Sequence, residues 1–255
     1  MRFLGLTLAD DIPDSRTIWK YKETLSYLGL MEVLFAEFLA VLTNLGLVVN
    51  EGKIVDASFI EVPKQRNSRE ENKEIKEGKI PKIFTDNVNK QQQKDVNARW
   101  TKKNNTSYFG YKNHIKISSK TKIITKFTVT DASVHDSQAL GCLLDKETYG
   151  NENFYADRAY TGVEQEKTIA KLGMKNEVCE KGYKNSPLTA SQKESNREKS
   201  KTRARVEHIF GFMEMSMNGM HINSIGIKRI SSEIGLMNLV YNMFRKIQLS
   251  EQNIG

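Results

Sequence analysis

Only two cysteines occur in 255 residues, Cys142 and Cys179, and they stand 37 positions apart with no partner spacing. Neither a disulfide framework nor a Cys/His zinc pattern fits them, so reduced, structural thiols are expected. No stretch reaches the ~18 uninterrupted apolar residues of a membrane helix. The first residues also lack the charged, apolar and small-residue order of a signal peptide. A cytoplasmic protein with no membrane partner is therefore expected. There is no GxxxxGK[ST] loop to argue for ATP, and no internal repeat. Hydrophobic residues make up 38% and charged residues 27%, so a core must share the chain with much wetted sequence.

What the chain does have is positive charge, unevenly spread. Its net charge is +8. Residues 61–120 hold 15 Lys/Arg against 7 Asp/Glu, and residues 181–206 hold 8 against 2, so the remainder is acidic. Two basic tracts in an otherwise acidic protein predict a polyanion partner, most simply nucleic acid. Solvated surface loops are the alternative for either tract alone.

The patterning divides the chain. Asp14-Ser15 caps a helix carrying Ile18, Tyr21, Leu25 and Leu28; Gly29 breaks it, and a second helix runs from Met31 to Leu45. Lys53 to Ile60 is a short β-branched strand with Asp56 in its middle. Glu61 to Thr106 is polar, with a helix at Ser68 to Lys76, and reads as a mobile basic insertion pinned by Trp100. Tyr108–Ile117 and Ile123–Asp131 read as a hairpin, and Asp136 as the cap of a helix running to about Lys146. A strand at Asn153–Ala156, a helix at Val163–Leu172 and a strand near Asn176–Cys179 follow. Lys181 to Arg197 reads as a basic loop. Val206, Ile209, Phe210, Met213 and Met217 then form the apolar face of a helix over Ser200–Met217, and a last helix spans about Lys228–Ile247. Strands followed by alternating helix and strand predict an α/β domain with a mixed five-stranded sheet flanked by helices.

Three acids in this order need explaining. Asp56 lies inside a strand, where an unpaired carboxylate costs several kcal/mol, roughly. Asp157 stands at a strand exit, and Glu207 lies on the 200–217 helix, four residues after Arg203. Each has an ordinary explanation, a strand-end hydrogen bond or an i,i+4 ion pair. Convergence of all three at the strand ends would instead form an oxygen-only site suited to Mg2+ or Mn2+. Two such cations about 3.5–4 Å apart serve phosphodiester chemistry.

The segments VDASFIEVPKQRN, DVNARWTKKNNTSYFGYKNHIKI, VTDASVHDSQAL, YADRAYTG and RARVEHIFGFM resemble, in order, the motifs of bacterial insertion-sequence DDE transposases of the insertion-sequence-five family. The resemblance spans roughly residues 1–246. It implies an RNase H-like catalytic domain over residues 51–250, with the basic insertion at 61–106 after the first strand. It also implies that Asp56, Asp157 and Glu207 are the catalytic acids and the ligands of two Mg2+ or Mn2+ ions. Arg203 would orient Glu207 or contact a phosphate. Lys112, Arg158, Lys199, Lys201 and Arg205 are assigned to double-stranded DNA, both element terminal inverted repeats and target. Implied with these are end cleavage, joining of 3′-hydroxyls to target DNA, and a homodimer on DNA. Relatives carry a longer helical region at the front, so residues 1–50 are read as the remnant of an end-binding segment. The Tyr and Lys of the family's Tyr-Arg-Glu-Lys signature fall here on Ser200 and Glu214. A decayed relative that binds DNA without transposing, and a stand-alone RNase H-like nuclease, are the other readings.

Overall fold

A computed structural model describes residues 5, 7, 10–144, 150–183 and 186–252. Helix α1 (Ser15–Leu28) starts where the Asp14 carboxylate accepts the Thr17 N–H at 2.6 Å. It ends at Gly29, whose φ of 65° places it in the left-handed region and turns the chain into α2 (Leu30–Asn44). The two helices meet at an 88° bend; no single helix among the described residues is long and apolar enough to cross a membrane.

The sheet is built on β1 (Gly52–Glu61). It pairs antiparallel with β3 (Thr106–Ser118), which pairs antiparallel with both β2 (Arg99–Lys103) and β4 (Ile124–Asp131). On its other edge β1 runs parallel to β5 (Asn153–Tyr155), which pairs parallel with β6 (Lys175–Asn176). The catalytic-domain order β4-β3-β1-β5-β6, antiparallel then parallel, is the RNase H-like arrangement that the resemblance implies. The sheet has six strands, not five, because β2 forms inside the insertion. Gly110 is needed where β3 passes β1: a Cβ there would meet the Ile60 carbonyl oxygen at 2.2 Å.

The insertion is ordered, contrary to the expectation of a mobile segment. It holds α3 (Arg69–Lys76), α4 (Lys82–Thr85) and α5 (Val88–Gln93) before β2. Phe84 and Ile75 are buried, and the ammonium groups of Lys90 and Lys94 lie over the Phe84 ring. Trp100 tilts against Phe109 but is 44% exposed. The pin is instead the buried Asp95. Its carboxylate accepts from the Tyr111 hydroxyl and from the N–H groups of Asn97, Ala98 and Gly226.

The long helices close one face of the sheet. Helix α8 (Ala190–Met217) begins ten residues before the expected start, at a capping box between Thr189 and Gln192, so much of the expected basic loop is helical. Val206, Ile209 and Met213 from α8 join Ile54, Ile115 and Ile117 in the main core. Helix α9 (Ile227–Gln252) is held to the sheet by two buried asparagines. Asn238 exchanges amide hydrogen bonds with Asn113, and Asn242 bonds both N–H and C=O of Ile124. Helices α1 and α2 pack on α9, placing Met31 and Phe35 in the same core. A second core on the opposite face gathers Val55, Phe154, Ala156 and Tyr160 with α6 (Leu140–Leu143) and α7 (Val163–Lys171). The helix expected from Asp136 to Lys146 is shorter: a 3-10 turn at Asp136–Ala139 leads into α6, and residues 145–149 lie outside the described residues. His135 caps that turn, not Asp136. Both cysteines are free, and Cys142 is exposed, so it is not the packed thiol expected.

Candidate active site

Asp56 sits mid-strand, opposite Ile115 of β3. Alternation along β1 puts it on the face of Ile54, which is the face covered by α8. Its side chain is 16% exposed. One carboxylate oxygen accepts the Ala57 N–H at 2.8 Å, and the other accepts Arg203 Nη1 at 3.1 Å. The second guanidinium nitrogen, Nη2, donates to Glu207 Oε1 at 2.8 Å. Residues that are 147 positions apart in sequence thus meet, and one guanidinium ties the first acid to the third.

Asp157 enters from β5. It caps the 3-10 turn Arg158–Tyr160, its Oδ1 accepting the Ala159 N–H at 2.7 Å. Its charge reaches Asp56. Burial pushes the Asp56 carboxyl up to about 6; the Ala57 N–H and Arg203 pull it down, and Asp157 pushes it up again. The two aspartates therefore repel across a partly buried gap, while Glu207, 56% exposed, stands at the rim.

These donors fit a hard divalent cation chemically. All three are carboxylates, and the mutual repulsion of Asp56 and Asp157 is what such an ion would relieve. Among the described residues, no three Asp, Glu, His or Cys side chains are gathered closely enough to hold a metal ion. Arg203, standing between Asp56 and Glu207, supplies the positive charge there.

The expected DNA contacts divide into two groups. Arg158, Lys201 and Arg205 are exposed, with Lys201 paired to Glu198 at the surface and Arg205 donating to the Ser119 carbonyl. Lys199 is partly buried and donates to the Val178 carbonyl. Lys112 is buried: its ammonium donates to the Asp136 carboxylate at 2.8 Å and the Val134 carbonyl at 2.7 Å. The exposed Lys103 extends the positive field toward Asp56. It lies over the Phe59 ring, on which Tyr108 stacks at 4.3 Å. His208, beside Glu207, is exposed and accepts from Lys122.

Sequence reasoning missed the reach of Arg203 to Asp56 and the position of Tyr160. The first had no local signal; the second lies three residues after Asp157, inside a segment already singled out.

Structural comparison finds a TM-score of 0.43 and 10% identity to a piggyBac transposase, seen by cryo-EM in a synaptic complex with hairpin DNA. The match covers 80% of this chain and 48% of that one, so this chain spans about half the length of that protein. Residues 49–243, which include all three acids and Arg203, match the family model of the transposase DDE domain. The chain belongs to the transposase DDE-domain family.

Proposed function

We propose that this protein is a divalent-metal-dependent DNA transposase, cleaving DNA at the ends of its element and joining the freed 3′-hydroxyls to target DNA. The observation that carries this reading is the meeting of Asp56 and Glu207 on one guanidinium, with the charge of Asp157 felt at Asp56. Asp56 and Asp157 would hold Mg2+ or Mn2+, with Glu207 completing the set for two ions. Such ions, when bound, polarise a phosphodiester oxygen and make a water or hydroxyl a stronger nucleophile.

The chain's own residues do the positioning. Arg203 aims Asp56 and Glu207, and a guanidinium is equally suited to a phosphate oxygen. Arg158, Lys201 and Arg205 offer exposed positive charge for the DNA backbone. In-line displacement at phosphorus needs no covalent enzyme intermediate, so positioning and charge stabilisation supply most of the catalysis. Joining two ends calls for two catalytic units, and a dimer on DNA is part of the proposal.

The test is Mg2+- or Mn2+-dependent cleavage and strand transfer on DNA bearing the element's ends. Asp56→Ala, Asp157→Ala and Glu207→Ala should each abolish both reactions while leaving folding and DNA binding. Three variants that cut as well as the parent would refute the assignment. A second reading, DNA binding without cleavage, draws on the position of Arg203 between two of the acids. It predicts that the parent binds DNA in a salt-sensitive way yet never cuts with either metal.

A further inference from the structure

Tyr160 closes the short turn that Asp157 caps. Its side chain is 1% exposed and packs in the second core with Val55, Phe154 and Ala156, yet its hydroxyl has no hydrogen-bond partner. A buried phenol normally finds one, because leaving the O–H unpaired forfeits the hydrogen bond it had in water. The turn also packs on the Asp136–Ala139 turn. Burial first, then the charges of Asp56, Asp136 and Asp157, hold the phenol well above its usual range, so it is a neutral O–H donor within the field of three carboxylates.

Those carboxylates are engaged elsewhere. Asp136 is paired with Lys112 at 2.8 Å, Asp157 takes the Ala159 N–H, and Asp56 takes Ala57 and Arg203. A donor near three acceptors and bonded to none is placed for a group that enters among them. Core packing accounts for the ring of Tyr160, since a phenylalanine would fill the same space; it does not account for the hydroxyl.

We infer that the Tyr160 hydroxyl positions the ligand shell of the divalent cation held by Asp56 and Asp157, donating a hydrogen bond to an oxygen of that shell. The inference rests on the metal-site reading above. Tyr160 is a positioning residue, acting on the reaction through the ion's ligands.

The experiment compares the full chain with Tyr160→Phe and Asp157→Asn, using Mn2+ as the probe. Binding is read by electron paramagnetic resonance of free Mn2+, and melting is read with and without the ion. Tyr160→Phe should melt at or above the parent temperature in EDTA, because it removes an unpaired buried hydroxyl. It should bind Mn2+ about tenfold more weakly, the scale of losing a group that orients metal ligands, and Asp157→Asn should bind more weakly still. Parent-like Mn2+ affinity in Tyr160→Phe, with affinity lost in Asp157→Asn, overturns the role of the hydroxyl and leaves the metal site standing. Parent-like affinity in both variants overturns the metal site and this inference with it. A Tyr160→Phe chain that melts several degrees lower in EDTA, or does not fold, shows a hydroxyl already bonded without the ion and also overturns the inference.

Discussion

Arg203 donates one guanidinium nitrogen to Asp56 and the other to Glu207, at 3.1 and 2.8 Å. The two contacts differ in weight. Glu207 is 56% exposed, and an exposed i,i+4 pair contributes about 0.3–0.5 kcal/mol. Asp56 is 16% exposed, and removing the partner of a largely buried charge is costlier. Arg203→Ala should therefore lower stability by about 1–3 kcal/mol in EDTA, with the Asp56 carboxyl moving further up. A cation taken up by Asp56 and Asp157 would replace the missing charge. Thermal melts of Arg203→Ala should then show a larger Mn2+-induced rise than the parent. An equal or smaller rise would mean that Arg203 and the ion do not share a site.

The pH dependence of the cation-free protein holds two opposed contributions. Asp56 titrates near 6 in the folded chain and near its ordinary ~3.9 when unfolded. The native state binds that proton more tightly, so stability from this group is lost as pH rises from about 4 to about 6. His114 behaves oppositely. Buried beside Thr130, it is pulled down to about 4 from an ordinary 6.5. The unfolded state binds its proton first, so stability is lost as pH falls from about 6.5 toward 4. The two slopes largely cancel in the parent. Asp56→Asn should remove one, giving a protein more stable than the parent at pH 7 by at most about 3 kcal/mol, with the advantage gone near pH 4. His114→Gln should expose the other, with stability declining from pH 4 to pH 6. Urea titrations in EDTA at several pH values measure both; curves parallel to the parent's would contradict these assignments.

The buried and exposed lysines should separate in DNA binding. Arg158 and Lys201 are at the surface, so replacing either with Gln should weaken binding to DNA of any sequence. Each should also reduce the slope of log K against log salt by about 1. Lys112 neutralises Asp136 inside the protein, so Lys112→Gln should lower melting temperature while leaving that slope unchanged. Filter binding across a salt series, with melting curves alongside, distinguishes the two. A reduced slope for a stably folded Lys112→Gln would place that ammonium on the DNA.

Much of the framework was legible because apolar periodicity survives in it. The strand around Asp56, the apolar stripe from Val206 to Met217 and the long last helix all carry that signal. The first ten residues of α8 do not. ASQKESNREK has no apolar face, and its only clue was the Thr189/Gln192 capping box. Strand β2, reading RWTKK, is polar and mostly exposed, so it forms by pairing with β3 and not by hydrophobic alternation. At the site, the Arg203–Glu207 pair could be read from helix spacing, whereas Arg203–Asp56 depends on α8 crossing β1. Tyr160 falls in the same class: its position beside Asp157 was visible, but an unbonded hydroxyl is a property of the folded surroundings.

The order of the insertion depends on Asp95 more than on any aromatic residue. Its carboxylate accepts the Tyr111 hydroxyl at 2.8 and 2.9 Å, the N–H groups of Asn97 and Ala98 at 2.9 and 3.0 Å, and that of Gly226 at 3.1 Å. One buried side chain thus joins the end of the insertion, β3 and the turn before α9. Asp95→Ala would strand these donors, at a cost of about 3–5 kcal/mol if several remain unpaired. Asp95→Asn keeps one acceptor oxygen but turns an NH2 toward one set of donors, so it should lose less. Limited proteolysis can localise the effect. Cleavage of Asp95→Ala should appear first between residues 64 and 94, ahead of global unfolding, because that segment is tied to the sheet through this carboxylate. Unfolding of the whole chain in one step, with no early cuts there, would show the insertion to be an inseparable part of the core.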